Sequence, residues 1–195
     1  MEMKNLKKTT IGYALCGSFC TLEKSMAALE ELTRQYEVIP VFSEKMAALD
    51  TRFGRAEEIT EKIENLCGRP AVRTVVEAER IGPERLFDAM VIAPCTGNTL
   101  AKLARGVVDA VVPMAAKAHL RNGRPLLIAL ASNDALSAGL SNLGELILRK
   151  NIYFVPLGQD DPEKKPTSLV ADFEKIPAAL REALEGRQIQ PLLLR

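Results

Sequence analysis

Ala89-Met90-Val91-Ile92-Ala93-Pro94-Cys95-Thr96-Gly97-Asn98-Thr99-Leu100-Ala101-Lys102-Leu103-Ala104-Arg105-Gly106 carries the reading of the fold. Ala89 to Ala93 is wholly apolar, and a short apolar run bounded by turn formers reads as a buried strand. Pro94-Cys95-Thr96-Gly97-Asn98 is rich in turn residues. Thr99 to Arg105 then reads as a helix stopped at Gly106. Strand, polar loop and helix in this order belong to a parallel βαβ arrangement.

The same order recurs outward in both directions. Ile11 to Leu15 reads as a buried strand broken by Cys16-Gly17-Ser18-Phe19-Cys20, and Thr21 to Gln35 sets Leu22, Met26, Leu29 and Leu32 on one helical face. Val38 to Phe42 is β-branched and aromatic, a second strand. Ser43 to Arg55 fits a short helix and a loop, and Ala56 to Leu66 a charged amphipathic helix ended by Gly68 and Pro70. Ala71 to Val76 is expected as a further strand, followed by a short helix over Glu77 to Arg80. Past Gly106, Val108 to Leu120 reads as a helix, Pro125 to Leu130 as a strand, Leu136 to Lys150 as a helix despite Gly139 and Gly144, and Ile152 to Val155 as the last strand. Pro156 to Thr167 is expected to be an extended loop. Phe173 to Leu184 closes the fold as a helix, and Leu192-Leu193-Leu194 call for apolar cover.

The expectation is one domain over residues 1–195, α/β in class, with a doubly wound, Rossmann-like parallel sheet flanked by helices. Right-handed crossovers put every strand-to-helix loop on one edge of that sheet, the edge at which ligands of such folds bind. At 195 residues, 47% of them apolar and 26% charged, the chain buries about 70% of its unfolded surface without staples. A net charge of +1 gives no pull toward nucleic acid or an anionic membrane, and the absence of Trp with 5% aromatics leaves no platform for stacking bases. No apolar run approaches the roughly 20 residues of a membrane span. The basic, polar start leads into an apolar stretch too short for a signal-peptide core. The expected location is the cytoplasm, where the four cysteines, none in a C-x-x-C pair, stay reduced.

Three strand-to-helix loops share a chemistry: Gly17-Ser18, Cys95-Thr96-Gly97-Asn98-Thr99, and Ser132-Asn133. Hydroxyl and amide residues at helix N-termini cap free N–H groups and leave others open to an anion. Each loop alone is an ordinary cap; three on one edge argue for a pocket that takes a phosphate and a flat polar group. No G-x-G-x-x-G follows the first strand and no G-x-x-x-x-G-K-[ST] occurs, which argues against a dinucleotide fingerprint and a nucleotide triphosphatase. Cys95 is expected as an exposed thiol within reach of a ligand. His119, the single histidine, is expected at a solvated helix end beside Lys117 and Arg121, outside catalysis. Any acid or base must then come from a carboxylate such as Asp134 or Asp109, a lysine, a cofactor or another subunit.

Val91 to Asp109 resembles the block "apolar strand, P-x-T-x-N-T-x-A-K-x-A-x-G-x-x-D" of the flavoprotein family, which includes phosphopantothenoylcysteine decarboxylase, the lantibiotic cysteine decarboxylases and the flavin prenyltransferases. Gly17-Ser18 is similar to that family's phosphate-holding G-S turn, and Leu130-Ala131-Ser132-Asn133 lies where the decarboxylases carry P-A-M-N. Within the family the chain resembles the branch formed by the B subunits of dipicolinate synthase, through C-G-S-F-C at 16–20, I-A-P-C-T-G-N-T-L-A-K-L-A at 92–104, and Gln159-Asp160-Asp161-Pro162 followed by Lys164-Lys165-Pro166.

The resemblance implies an FMN-binding pocket in which Gly17, Ser18 and Phe19 hold the phosphate and Ser43 sits beside it. It further implies that Cys95, Thr96, Asn98 and Thr99 line the flavin and that Ser132 and Asn133 face its ring or the substrate. It implies an oxidoreductase role, the oxidation of a dihydrodipicolinate-derived dicarboxylate to dipicolinate in the mother cell of a sporulating bacterium. The partner is then the A subunit of dipicolinate synthase, carrying NADP, and the chain itself is a homo-oligomer. The loss of P-A-M-N, of the following Met-Trp and of the decarboxylases' histidine argues against cysteine decarboxylation. Two alternatives stand beside this reading: a non-catalytic flavoprotein-fold partner that stabilises the A subunit, and an independent flavin-dependent decarboxylase or reductase.

Overall fold

The structure, a computed structural model, describes residues 8–194. Five strands, β1 (Thr10–Leu15), β2 (Glu37–Phe42), β3 (Ala89–Cys95), β4 (Leu126–Ser132) and β5 (Ile152–Phe154), pair in parallel in the order β2-β1-β3-β4-β5. Eight helices flank them: α1 (Leu22–Thr33), α2 (Glu44–Ala48), α3 (Ala56–Cys67), α4 (Val75–Arg80), α5 (Gly97–Arg105), α6 (Val111–Leu120), α7 (Leu140–Ile147) and α8 (Ile176–Leu184). All seven residues of β3 are buried, as a strand covered by helices on both faces must be.

Among the five parallel strands, chain order and sheet order diverge at one place. From β1 the chain moves outward to β2, then returns to β3 on the other side of β1. That reversal opens a crevice at the carboxyl ends of β1 and β3, and specific bonds hold its walls together. Pro94 has no N–H to give the ladder, and the β3–β4 register shifts between Ile92 and Cys95. The freed carbonyls find other partners: Ser25 Oγ of α1 donates to the Ala93 carbonyl, and the Cys16 N–H donates to the Pro94 carbonyl at 3.2 Å. The Ser43 N–H donates to the Leu15 carbonyl at 3.0 Å. The loops after β1, β2 and β3 are thus tied backbone to backbone. Tyr13, fully buried, donates its phenol to the Ser25 carbonyl at 2.9 Å.

Three elements depart from the sequence expectations. Ala71 to Val76 forms no strand. Val72 makes a single bridge to Val41, and Thr74 and Glu77 close a reciprocal capping box that starts α4 at Val75. Leu136 to Lys150 is not one helix. The N–H groups of Ser137 and Gly139 both turn back to the Asp134 carbonyl, and α7 begins only at Leu140. Pro156 to Thr167 is more structured than a loop, because β6 (Leu157–Gly158) pairs antiparallel with β7 (Leu169–Ala171), which pairs antiparallel with Ala131 and Ser132 of β4. The three-residue β5 covers only Leu126 to Ile128 of β4, and the returning chain covers its exposed end. The leucine tail is used through its backbone: the Leu157 N–H donates to the Leu192 carbonyl and the Leu194 N–H to the Leu157 carbonyl, both at 2.8 Å, while the Leu193 side chain stays 66% exposed.

Candidate functional site

The crevice at the strand-order reversal is a cavity of about 340 Å³. Gly17 follows β1, Ser43 to Lys45 follow β2, and Thr96, Asn98 and Thr99 open α5 after β3. Residues 109 to 113 at the start of α6 close the far side. Five of the residues expected to hold the cofactor therefore meet here, Gly17, Ser43, Thr96, Asn98 and Thr99, together with Asp109, one of the two candidate carboxylates.

Their hydrogen bonds divide into committed and free donors. Ser43 Oγ accepts the Met46 N–H at 3.3 Å, capping α2, so its own proton is not used by that bond. Thr96 Oγ1 accepts the Thr99 N–H at 3.3 Å and donates to Thr99 Oγ1 at 3.1 Å, and Thr99 Oγ1 donates to Cys16 Sγ at 3.3 Å. That chain of hydroxyls holds α5 against the β1 loop and spends its protons doing so. The N–H groups of Gly97 and Asn98, in the first turn of α5, have no acceptor within their own helix and add to the positive end of its dipole. The neutral donors open to a ligand are Ser43, Asn98 and these amides: a set that suits an oxyanion.

Ionisable groups frame the mouth. Lys102 and Asp109 pair at 2.7 Å, and that hydrogen bond holds the Asp109 carboxyl below its usual range. Glu44 Oε1 accepts the Val111 N–H at 2.9 Å, capping α6 from another element. Burial pushes the Cys16 thiol up to about 11 against the opposing pull of Thr99. Both Cys16 and Cys95 are thus thiols at neutral pH, the weakly nucleophilic form.

Four predicted residues lie elsewhere, and two expectations, for Cys95 and His119, are overturned outright. Cys95 is not an exposed thiol: it is fully buried, and burial beside Cys16 pushes it well up. Ser18 Oγ takes the Thr21 hydroxyl proton at 3.1 Å. Phe19 turns to a separate groove of about 700 Å³, with Met26, Phe53 and Leu66. Ser132 bonds to Asp134, and its Oγ lies 2.6 Å from where a β-carbon on Gly97 would be, so the third loop packs against the second without lining the cavity. Asn133 is exposed, and its carbonyl accepts the Thr167 hydroxyl at 2.7 Å. His119 is not solvated: it is fully buried at the opposite end of the sheet, with Nε2 2.9 Å from the Pro125 carbonyl and Nδ1 unpartnered.

Comparison with known proteins bears on the family and the fold. The model of the flavoprotein family matches residues 1–163. The chain belongs to the flavoprotein family. A curated relative, the B subunit of dipicolinate synthase from Bacillus subtilis (strain 168), is 45% identical over 193 residues, 98% of this chain and 96% of the relative. The crystal structure of the dipicolinate synthase B subunit from Bacillus halodurans superposes with a TM-score of 0.88 at 41% identity, covering 96% of each chain. The FMN-dependent cysteine decarboxylase SpaF shares the fold, with a TM-score of 0.66 at 23% identity over 90% of this chain and 97% of its own.

Within this flavoprotein the sequence missed Glu44, Lys45 and Lys102. Asp109 and Lys102 stand in the family block itself, so their pairing was within reach of it. Nothing local marks Glu44 or Lys45, which enter the crevice because β2 ends beside β1. Among the described residues no helix is long and apolar enough to cross a membrane.

Proposed function

We propose that this chain is the FMN-binding subunit of a dipicolinate synthase and works with the enzyme's A subunit, which carries NADP. Together they oxidise a dihydrodipicolinate-derived dicarboxylate to dipicolinate in the mother cell of a sporulating bacterium. The observation that carries the reading is the convergence of Gly17, Ser43, Thr96, Asn98 and Thr99 on one crevice, in a chain so similar to two B subunits of that enzyme. The donor set fits a flavin phosphate: neutral hydroxyl, amide and backbone N–H donors at the start of α5, with glycine at the closest approach. A bound flavin would supply a two-electron acceptor or donor. The residues of this chain bind and orient it: Ser43 and the α5 amides toward the phosphate, the Thr96–Thr99–Cys16 chain holding that wall in place. Purified full-length protein should show the absorption bands of an oxidised flavin and release FMN to mass spectrometry. A colourless protein that also ignores added FMN refutes the cofactor assignment.

One observation favours a second reading, a partner that positions the A subunit without doing chemistry. Among the described residues the cavity holds no histidine, its thiol is buried, and each of its carboxylates is engaged in a cap or an ion pair. An isolated A subunit making dipicolinate at full rate without this chain would establish that reading; loss of turnover together with a flavin-loaded chain would exclude it. The exposed leucines, Leu148 at 87% and Leu193 at 66%, support self-association as a homo-oligomer.

A further inference from the structure

Four charged side chains line the crevice: Glu44, Lys45, Lys102 and Asp109. Three are engaged within the protein. Lys102 and Asp109 neutralise each other at 2.7 Å, and Glu44 is held by the Val111 N–H at 2.9 Å. Lys45 takes part in none of the ion pairs or side-chain hydrogen bonds among the described residues, although acids stand on both neighbouring walls. Lys45 Cβ and Cδ lie 3.2 and 3.7 Å from where a β-carbon on Gly17 would be, so the aliphatic chain lies along the glycine turn. The ammonium, two bonds beyond Cδ, belongs to a side chain that lines the crevice.

We infer that Lys45 is the counter-charge for a phosphate group in this crevice and selects phosphorylated over unphosphorylated ligand. The inference rests on the flavin reading and goes further by naming the residue that discriminates within it. The other open donors are neutral. They satisfy hydrogen bonds but do not compensate a group that carries close to two negative charges at neutral pH, and bringing such charge out of water unpaired is costly. The Lys102–Asp109 pair adds no net charge. A single ammonium on a flexible stem suits a phosphate as a point charge.

The test is titration of the full chain with FMN and with riboflavin, which lacks the phosphate, following flavin fluorescence in wild type, Lys45→Gln and Lys45→Arg. Loss of one charge-assisted contact is expected to weaken FMN binding about tenfold in Lys45→Gln, leave riboflavin binding unchanged, and be largely rescued in Lys45→Arg. FMN preference that survives Lys45→Gln overturns the assignment alone, as does a wild-type chain that binds the two flavins equally. A wild-type chain that binds neither overturns the cofactor reading and the assignment with it.

Discussion

Gly12 lies within β1, opposite Ile39 of β2 and Met90 of β3, and a β-carbon there would stand 2.4 Å from two ring carbons of Phe87. Non-bonded carbons rest about 3.5–4.0 Å apart, so Gly12→Ala forces an overlap of more than 1 Å. Neither side can yield easily: β1 is paired along both edges, and Phe87 is fully buried, tilted against the His119 ring at a centroid distance of 6.1 Å. Overpacking of a close-packed core costs about 1–3 kcal/mol, and an immobile aromatic ring puts this substitution at the upper end, about 3 kcal/mol. For a chain of this length about 1 kcal/mol moves Tm by roughly 2–4 °C, so Gly12→Ala should lower Tm by about 6–12 °C. Phe87→Leu alone should also destabilise, by about 1–2 kcal/mol, through the space it empties. In the double variant the new methyl occupies that space, and the two losses should be less than additive by about 1 kcal/mol or more. Thermal and urea unfolding by circular dichroism measure all four corners of the cycle. A Gly12→Ala protein melting within about 2 °C of wild type, or strictly additive losses, would refute the packing argument.

Two further outcomes follow from the titratable groups. Burial lowers the His119 pKa below its usual 6.5, so the unfolded chain binds the proton more readily than the folded one. The stabilisation is complete above about pH 6.5 and is lost as pH falls through the lower folded value; wild type should lose stability over that range, and His119→Gln should flatten the slope, which urea midpoints between neutral and mildly acid pH would detect. Among the four cysteines only Cys20 is exposed, while burial raises Cys16, Cys67 and Cys95. Iodoacetamide at neutral pH should therefore give one rapid adduct, mapped by peptide mass spectrometry to Cys20, and fast labelling of Cys16 or Cys95 would contradict the buried Thr99–Cys16 wall.

The legible part of the fold was the part written in short apolar runs. β1, β2, β3 and β4 lie within a residue or two of their expected positions because a strand buried on both faces is apolar through its middle, and the polar Thr10, Glu37 and Ser132 stand only at strand ends. The elements misjudged were those whose local composition was ambiguous. Ala71 to Val76 has strand-like valines, yet the Thr74–Glu77 capping box decides for a helix, a signal that was present in the sequence and outweighed by the β-branched residues around it. Leu136 to Lys150 has helical spacing, but Gly139 and the turn at Asp134 delay its start. β6 and β7 are too short to leave any periodicity, and their pairing exists only because β4 has an uncovered end.

The site divides along the same line. Thr96 was found because a cap is a local device, its side chain bonding the N–H of Thr99 three residues on; Ser43 caps toward Met46 in the same way but was reached only through the family resemblance. Cys95 and His119 were misplaced because exposure depends on what packs from elsewhere, and a strand terminus or the last turn of a helix does not record it. By itself the sequence determined the alternation of strands and helices, the edge on which polar loops gather, and the family. The tertiary structure alone decided that Lys45 lies along Gly17, that Glu44 caps α6 and that Ser132 stops against Gly97. These contacts join residues far apart in the chain, and they follow from the reversal of strand order at β1 and β3 and from register, which local spacing cannot encode.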